Sequence, residues 1–127
     1  MQDIQENKDT PSEAINPDIH PSSLRFSIWD RTNAIEVTIS EAIIIGRSAD
    51  EEPVAVDLTD YHGRLLGVSR RHALIFPTAT GMAIRDLDSA NGTKHRGEAL
   101  KKDQVYDLHH GDELQIGGLY ITVFFVD

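Results

Sequence analysis

From Leu24 onward, apolar residues recur at every second position in short runs, and no segment sustains the three-to-four spacing of a helix. Leu24, Phe26 and Ile28 alternate with Arg25, Ser27 and Trp29, and Ile35, Val37 and Ile39 alternate with Glu36 and Thr38. These two strands read as a hairpin closed through Arg31-Thr32-Asn33. Further strands are expected at Ile43–Ile45, Val54–Val56, Ala73–Phe76, Met82–Arg85, Val105–Leu108, Glu113–Ile116 and Leu119–Val126. Turn-forming residues separate most of them: Ser40-Glu41-Ala42, Pro77 to Gly81, Asn91-Gly92, His110-Gly111-Asp112 and Gly117-Gly118. Many short strands at regular spacing predict an all-β antiparallel sandwich or barrel.

The 127 residues suit one domain. Residues 1–22 read as a disordered acidic tail, with Pro11, Pro17 and Pro21 and only scattered isoleucines. The folded domain is expected over 23–127. Without cysteine there is neither a disulfide framework nor a thiolate metal site, and no cofactor is called for. Residues 1–8 lack the basic flank and apolar stretch of a secretory signal, and no apolar run reaches membrane-spanning length. The reading is a cytoplasmic protein with no membrane partner.

A formal net charge of −9 opposes binding to nucleic acid. Against that acidity, Arg47, Arg64, Arg70, Arg71, Lys94 and Arg96 fall in connections or at strand ends. A small basic island on an acidic body favours a discrete anionic ligand.

Three motifs carry that island. In Ile43-Ile44-Ile45-Gly46-Arg47, a buried strand runs into a glycine and an arginine at the rim, whose fork can hold two oxygens of a phosphate. A surface ion pair of Arg47 with Asp50 or Glu51 is the alternative. In Ser69-Arg70-Arg71-His72, Ser69 can donate its hydroxyl to an anion beside arginine charge, and His72 reads as a buried brace acting through its two ring nitrogens. If this stretch were fully extended, Arg70 and His72 would share a face, but a turn would break that parity. Asn91-Gly92 has the composition of a tight turn, and the Asn91 amide could also pair with a ligand's main chain.

Enzymatic patterns fit poorly. Gly67-Val68-Ser69-Arg70-Arg71 has arginine where a nucleophile elbow requires glycine, and there is no phosphate-cradling Gly-Lys-Ser/Thr loop or zinc-protease motif. Adjacent His109 and His110, near Asp107 and Asp112, are poorly disposed to share a metal.

Four segments in order resemble the signatures of forkhead-associated (FHA) domains: Gly46-Arg47; Ser69-Arg70-Arg71-His72-Ala73; Asp86-Leu87-Asp88-Ser89-Ala90-Asn91-Gly92-Thr93; and Gly111 to Gly117. The resemblance covers about residues 23–127. It implies a β-sandwich of about eleven strands whose loops at one end bind phosphothreonine peptides. By position, it implies that Arg47 and Ser69 grip the phosphate, that Arg70 supports the phosphate or adjacent peptide, and that Asn91 binds the peptide main chain. Gly46, His72 and Gly92 would be architectural. Two positions depart from the pattern: Ala90 stands where a hydroxyl residue is frequent, and Arg96-Gly97 replaces an Asn-Gly turn.

The function implied is a non-enzymatic, phosphothreonine-dependent interaction module downstream of a Ser/Thr kinase. The rival is a phospho-independent scaffold, for which exposed Trp29 or Tyr120 would matter. Thr10, in the tail, is a candidate phosphorylation site for docking on the same chain or on a second copy.

Overall fold

The computed structural model describes residues 15–29 and 32–127. Thr10 and the Arg31 of the expected hairpin turn lie outside them. Eleven strands follow in order: β1 (Ser23–Ile28), β2 (Ala34–Thr38), β3 (Ile43–Gly46), β4 (Val56–Asp57), β5 (Arg71–Thr78), β6 (Gly81–Asp86), β7 (Thr93–His95), β8 (Glu98–Ala99), β9 (Val105–Leu108), β10 (Glu113–Ile116) and β11 (Leu119–Val126). Apart from a 3-10 turn at Thr59–Tyr61, the described residues contain no helix. One sheet has the order β2-β1-β11-β10-β7-β8 and the other β4-β3-β5-β6-β9.

The alternation read in the sequence is what closes the sandwich. Leu24, Phe26 and Ile28 of β1, with Leu114, Ile116, Leu119, Ile121 and Val123 of β10 and β11, are buried in one core cluster. Ile43, Ile45, Ala73, Ile75, Met82 and Ile84 fill the same core from the other sheet. Intervening positions such as Arg25, Ile44, Leu74 and Tyr120 escape this cluster because successive side chains point to opposite faces.

Three features differ from the sequence reading. The expected strand at Val54–Val56 is shifted to Val56–Asp57 and joins β3 in parallel, through Ile45↔Val56 and Gly46↔Asp57. The pairing follows from the path of the 47–55 connection, which brings β4 back alongside β3 in the same direction. Strands β7 and β8 carry too little apolar residue to display a period, and they exist because Lys94 and His95 pair with Ala99 and Glu98. Packed structure also begins before residue 23. His20 is buried, its Nδ1 accepts the Asn16 N–H (2.8 Å), and its Nε2 meets the Thr78 carbonyl (2.8 Å), while Ile15 packs against the core.

Register brings six strand ends together. Gly46 pairs with Arg71 across a register shift, Ala73 with Asp86, and Ile116 with both Thr93 and Leu119. The connections leaving β3, entering β5, leaving β6 and turning from β10 to β11 therefore meet at one end of the sandwich.

Candidate functional site

Arg47 is placed by its own backbone. Its N–H donates to the Arg70 carbonyl (3.1 Å), where β3 ends against the entry to β5. The crossing is close enough that a Cβ on Gly46 would fall inside the Arg70 carbonyl. Arg47 Nε donates to the Val68 carbonyl at 2.7 Å, tying down the half-buried side chain. Its two terminal amino groups make no hydrogen bond among the described residues. The alternative pairing with Asp50 or Glu51 is not formed: those residues sit in a turn closed by the Ala49↔Glu52 bridge.

Ser69 is held from two directions. Its backbone N–H donates to His72 Nδ1 (2.9 Å), and its Oγ accepts the Ala90 N–H (3.1 Å). Because Nδ1 is an acceptor, His72 carries its proton on Nε2 and donates it to the Gly92 carbonyl (2.8 Å). One buried imidazole thus joins two loops. Burial pushes the His72 pKa below 6.5, opposed by the bond to Gly92 and the charge of Asp86. The turn closed by this ring breaks the parity of an extended segment: Arg70 and Arg71 are both exposed while His72 is buried.

Asn91 is anchored by Nδ2, which donates to the Gly67 carbonyl at 3.0 Å and leaves Oδ1 and the second N–H for other partners. Gly67 has φ +82°, and a Cβ there would lie 2.5 Å from Asn91 Nδ2. The loop carrying Asn91 is built on Asp86, whose Oδ1 accepts from Ser89 Oγ and Thr93 Oγ1 (2.7 Å each) and whose Oδ2 accepts the Ser89 N–H (3.1 Å). Ser89 Oγ in turn accepts the Gly92 N–H at 3.0 Å. Burial raises the Asp86 pKa, but the bonds from Ser89 and Thr93 and the proximity of His72 outweigh it, so the carboxyl stays below 3.8. Sequence reasoning gave this bracket no role, although the Asp-x-x-Ser spacing of a local side-chain-to-backbone turn was its visible signal.

Arg47, Ser69, Arg70, Asn91, Gly46, His72 and Gly92 thus belong to connected loops at one end of the sandwich. Ion pairs among the described residues include Arg25–Glu36, Lys102–Asp88 and those of Asp112 with His95 and His109. None of them draws on Arg47, Arg64, Arg70 or Arg71. The end therefore offers uncompensated guanidinium charge, a serine hydroxyl and a side-chain amide on a rigid frame.

Other polar residues are directed elsewhere. Arg96 occupies the β7–β8 turn, its N–H bonded to the Glu113 carbonyl, at the end of β7 away from Gly92. His95 pairs with Asp112 at 2.6 Å, and His110 Nδ1 accepts the Phe125 N–H. Among the described residues no cluster of three His, Asp or Glu could hold a metal ion, and no helix is long and apolar enough to cross a membrane.

Fold and site define a two-sheet β-sandwich that concentrates anion-binding groups in the loops at one end. The sequence model of the FHA domain matches residues 43–117, and the chain belongs to that family. No curated protein sequence matches it. Among solved structures, an FHA domain from a study of phosphothreonine-dependent FHA domain interactions is 27% identical, with 83% of this chain and 98% of that chain covered and a TM-score of 0.63. The FHA domain of an Arabidopsis thaliana hypothetical protein is 26% identical, with 84% and 88% covered and a TM-score of 0.67. The FhaA FHA domain, complexed with the intracellular domain of Rv3910, is 28% identical, with 80% and 99% covered and a TM-score of 0.61.

Proposed function

We propose that this chain is a cytoplasmic phosphothreonine-binding module that recruits the product of a Ser/Thr kinase and catalyses no reaction itself. The observation that carries this reading is that Arg47 is bonded to the carbonyl of Val68, the residue next to Ser69, which sets its guanidinium beside the Ser69 turn. The Ser69 Oγ accepts from the Ala90 N–H, so its own proton is left to donate. The Arg47 guanidinium is fixed through Nε, so its terminal amino groups are left to donate as well. A phosphate with about −1.5 to −2 charges accepts from both. Arg70 adds exposed positive charge, and Asn91 supplies the remaining donor and acceptor for the peptide main chain.

Charge-assisted hydrogen bonds contribute roughly 1.5–3 kcal/mol each, so two or three of them with main-chain contacts lead to an affinity on the order of micromolar after association entropy. The extra methyl of threonine over serine adds about 0.8 kcal/mol where it is buried. The family relationship and the phosphothreonine-dependent interactions studied for a 27%-identical FHA domain support the same reading.

An oriented phosphothreonine peptide library, run beside its unphosphorylated twin, tests it. Retention of phosphorylated peptides alone, abolished by phosphatase, is the expected result. Equal retention of both libraries, or of neither, would overturn the reading.

A further inference from the structure

The sheet that contains β1, β10 and β11 buries alternate residues in the core and turns the others to its outer face. On that face β11 presents Tyr120, Thr122 and Phe124, out of phase with the buried Leu119, Ile121 and Val123. The register sets Ser27 opposite Thr122 and Arg25 opposite Phe124, and Trp29 continues the same outward phase just beyond the end of β1. Trp29 is 64% exposed and Tyr120 48%, while Phe124 is half-buried. These three aromatic side chains, with the small Ser27 and Thr122, line a hollow of about 400 Å³. Isolated exposed apolar side chains need no explanation, but aromatic rings gathered around one hollow form a patch.

We propose that this face joins two copies of the chain in a two-fold dimer, with the exposed Trp29 and Tyr120 of each copy seated in the hollow of the other. A two-fold interface must be complementary to itself, and a surface that carries both open aromatic rings and a hollow meets that condition. Charge points to the same occupant. The protein's formal net charge of −9 opposes self-association, yet the charged residues that these strands turn to the outer face are Arg25 and Lys94 against Glu36 and Glu113, two of each sign. Arg25 and Glu36 already pair with each other at 3.3 Å. Two copies therefore meet here without the repulsion between their acidic bodies, around an aromatic centre of the kind that interfaces favour. The area is also sufficient. The strands from β2 to β7, spaced at about 4.8 Å and about 20 Å long, give a face on the order of 500 Å² in projection, so two of them together reach the roughly 1,000 Å² that a specific interface requires. The face runs along the flank of the sandwich, whereas Arg47 and Ser69 lie at its end, so pairing leaves both sets of phosphate loops open. The pairing does not depend on the phosphothreonine reading; on that reading the dimer is bivalent, and a partner phosphorylated twice is held at two sites at once.

Sedimentation equilibrium of the unphosphorylated full chain, without peptide and over a range of concentrations, tests the pairing. The expected result is a particle of twice the mass of the chain that dissociates on dilution. Trp29 is the only tryptophan, so its emission should move to the blue as the dimer forms. Thr122→Arg places a charge in the hollow and should raise the dissociation constant at least about tenfold while keeping the circular dichroism of the parent. Tyr120→Glu, at an exposed position, should do the same if the first variant fails to fold. Arg47→Ala, in the phosphate loops, should leave the dimer intact. A parent that stays monomeric at every concentration would overturn the inference, as would a dimer that survives both Thr122→Arg and Tyr120→Glu or one that Arg47→Ala dissolves. A chain that dimerises only after removal of residues 1–14 would assign the face to that segment and overturn it too. None of these results bears on whether the loops bind phosphothreonine, which the peptide library decides separately.

Discussion

The backbone N–H of Ser69 donates to Nδ1 of His72 at 2.9 Å, so a proposed phosphate ligand and a buried imidazole share one turn. The bond exists only for neutral His72, because a proton on Nδ1 would replace the acceptor with a second donor. Burial lowers the folded pKa below the unfolded value of 6.5, so the unfolded chain binds the proton first. The stabilising contribution is complete above about pH 6.5 and is lost as pH falls through the lower folded pKa. Thermal melts between pH 7.5 and 5 should show a falling midpoint, and His72→Ala should flatten that limb. The substitution should cost about 1–3 kcal/mol at pH 7.5. An unchanged melting point would remove the brace.

Gly46 and Gly92 separate two reasons for glycine. At Gly46 a Cβ collides with the Arg70 backbone, which no side-chain rotation relieves, whereas at Gly92 it meets nothing within 4 Å and only the φ of +85° is unfavourable. Gly92→Ala should cost about 1–2 kcal/mol. Gly46→Ala should cost more and displace Arg47, whose N–H is bonded to the same Arg70 carbonyl. Urea midpoints of the two variants measure the difference, and equal midpoints would contradict the close crossing.

Arg47→Lys keeps the charge but loses the bidentate fork and the Nε bond to Val68. Phosphopeptide affinity should fall roughly tenfold, and stability by about 0.5–1.5 kcal/mol. Calorimetry with a selected peptide tests the first and a denaturant titration the second. A lysine variant with parental affinity would mean that charge alone holds the phosphate.

The hairpin between β7 and β8 turns through Arg96 at φ 54° and Gly97 at φ 86°, with His95 opposite Glu98. Two positive φ angles in a two-residue loop favour Asn-Gly. Arg96→Asn should therefore stabilise the fold by about 0.5–1 kcal/mol and leave peptide affinity unchanged, since the turn lies away from Gly92. A melting point that does not rise would show that Arg96 makes a compensating contact.

Asp57 accepts from Ser48 N (3.1 Å), Thr59 N (3.0 Å) and Thr59 Oγ1 (2.6 Å). Burial works to raise its pKa, but these bonds prevail and lower it to about 2. Its contribution is present above the unfolded value of 3.8 and is lost as pH falls toward 2. Asp57→Asn should weaken that acid limb and loosen the connection following Arg47, seen as faster amide exchange of Ser48 and Thr59. Unaltered exchange would exclude the clamp.

Period two was legible in Leu24-Phe26-Ile28 and in Leu119-Ile121-Val123 because a half-buried strand must place alternate residues on the core, a local rule written in adjacent positions. The residue types of the loops proposed to bind the ligand were legible for a similar reason, since cations, hydroxyls and amides beside glycine have few purely local uses. What joined those loops was not local. Ser69 meets Ala90 across 21 positions and Asn91 meets Gly67 across 24, so their partners follow only from the register that brings the ends of β3, β5, β6 and β10 together. The same distance in sequence concealed the parallel pairing of β4, the short polar strands β7 and β8, and the burial of His20 against Thr78. Even the need for glycine at residue 46 lies outside its own segment, because the atom that excludes a Cβ there belongs to Arg70. Strand faces and loop chemistry are properties of neighbouring residues; the mutual placement of loops is a property of long-range packing, and it brings Arg47 and Ser69 to the same end of the sandwich.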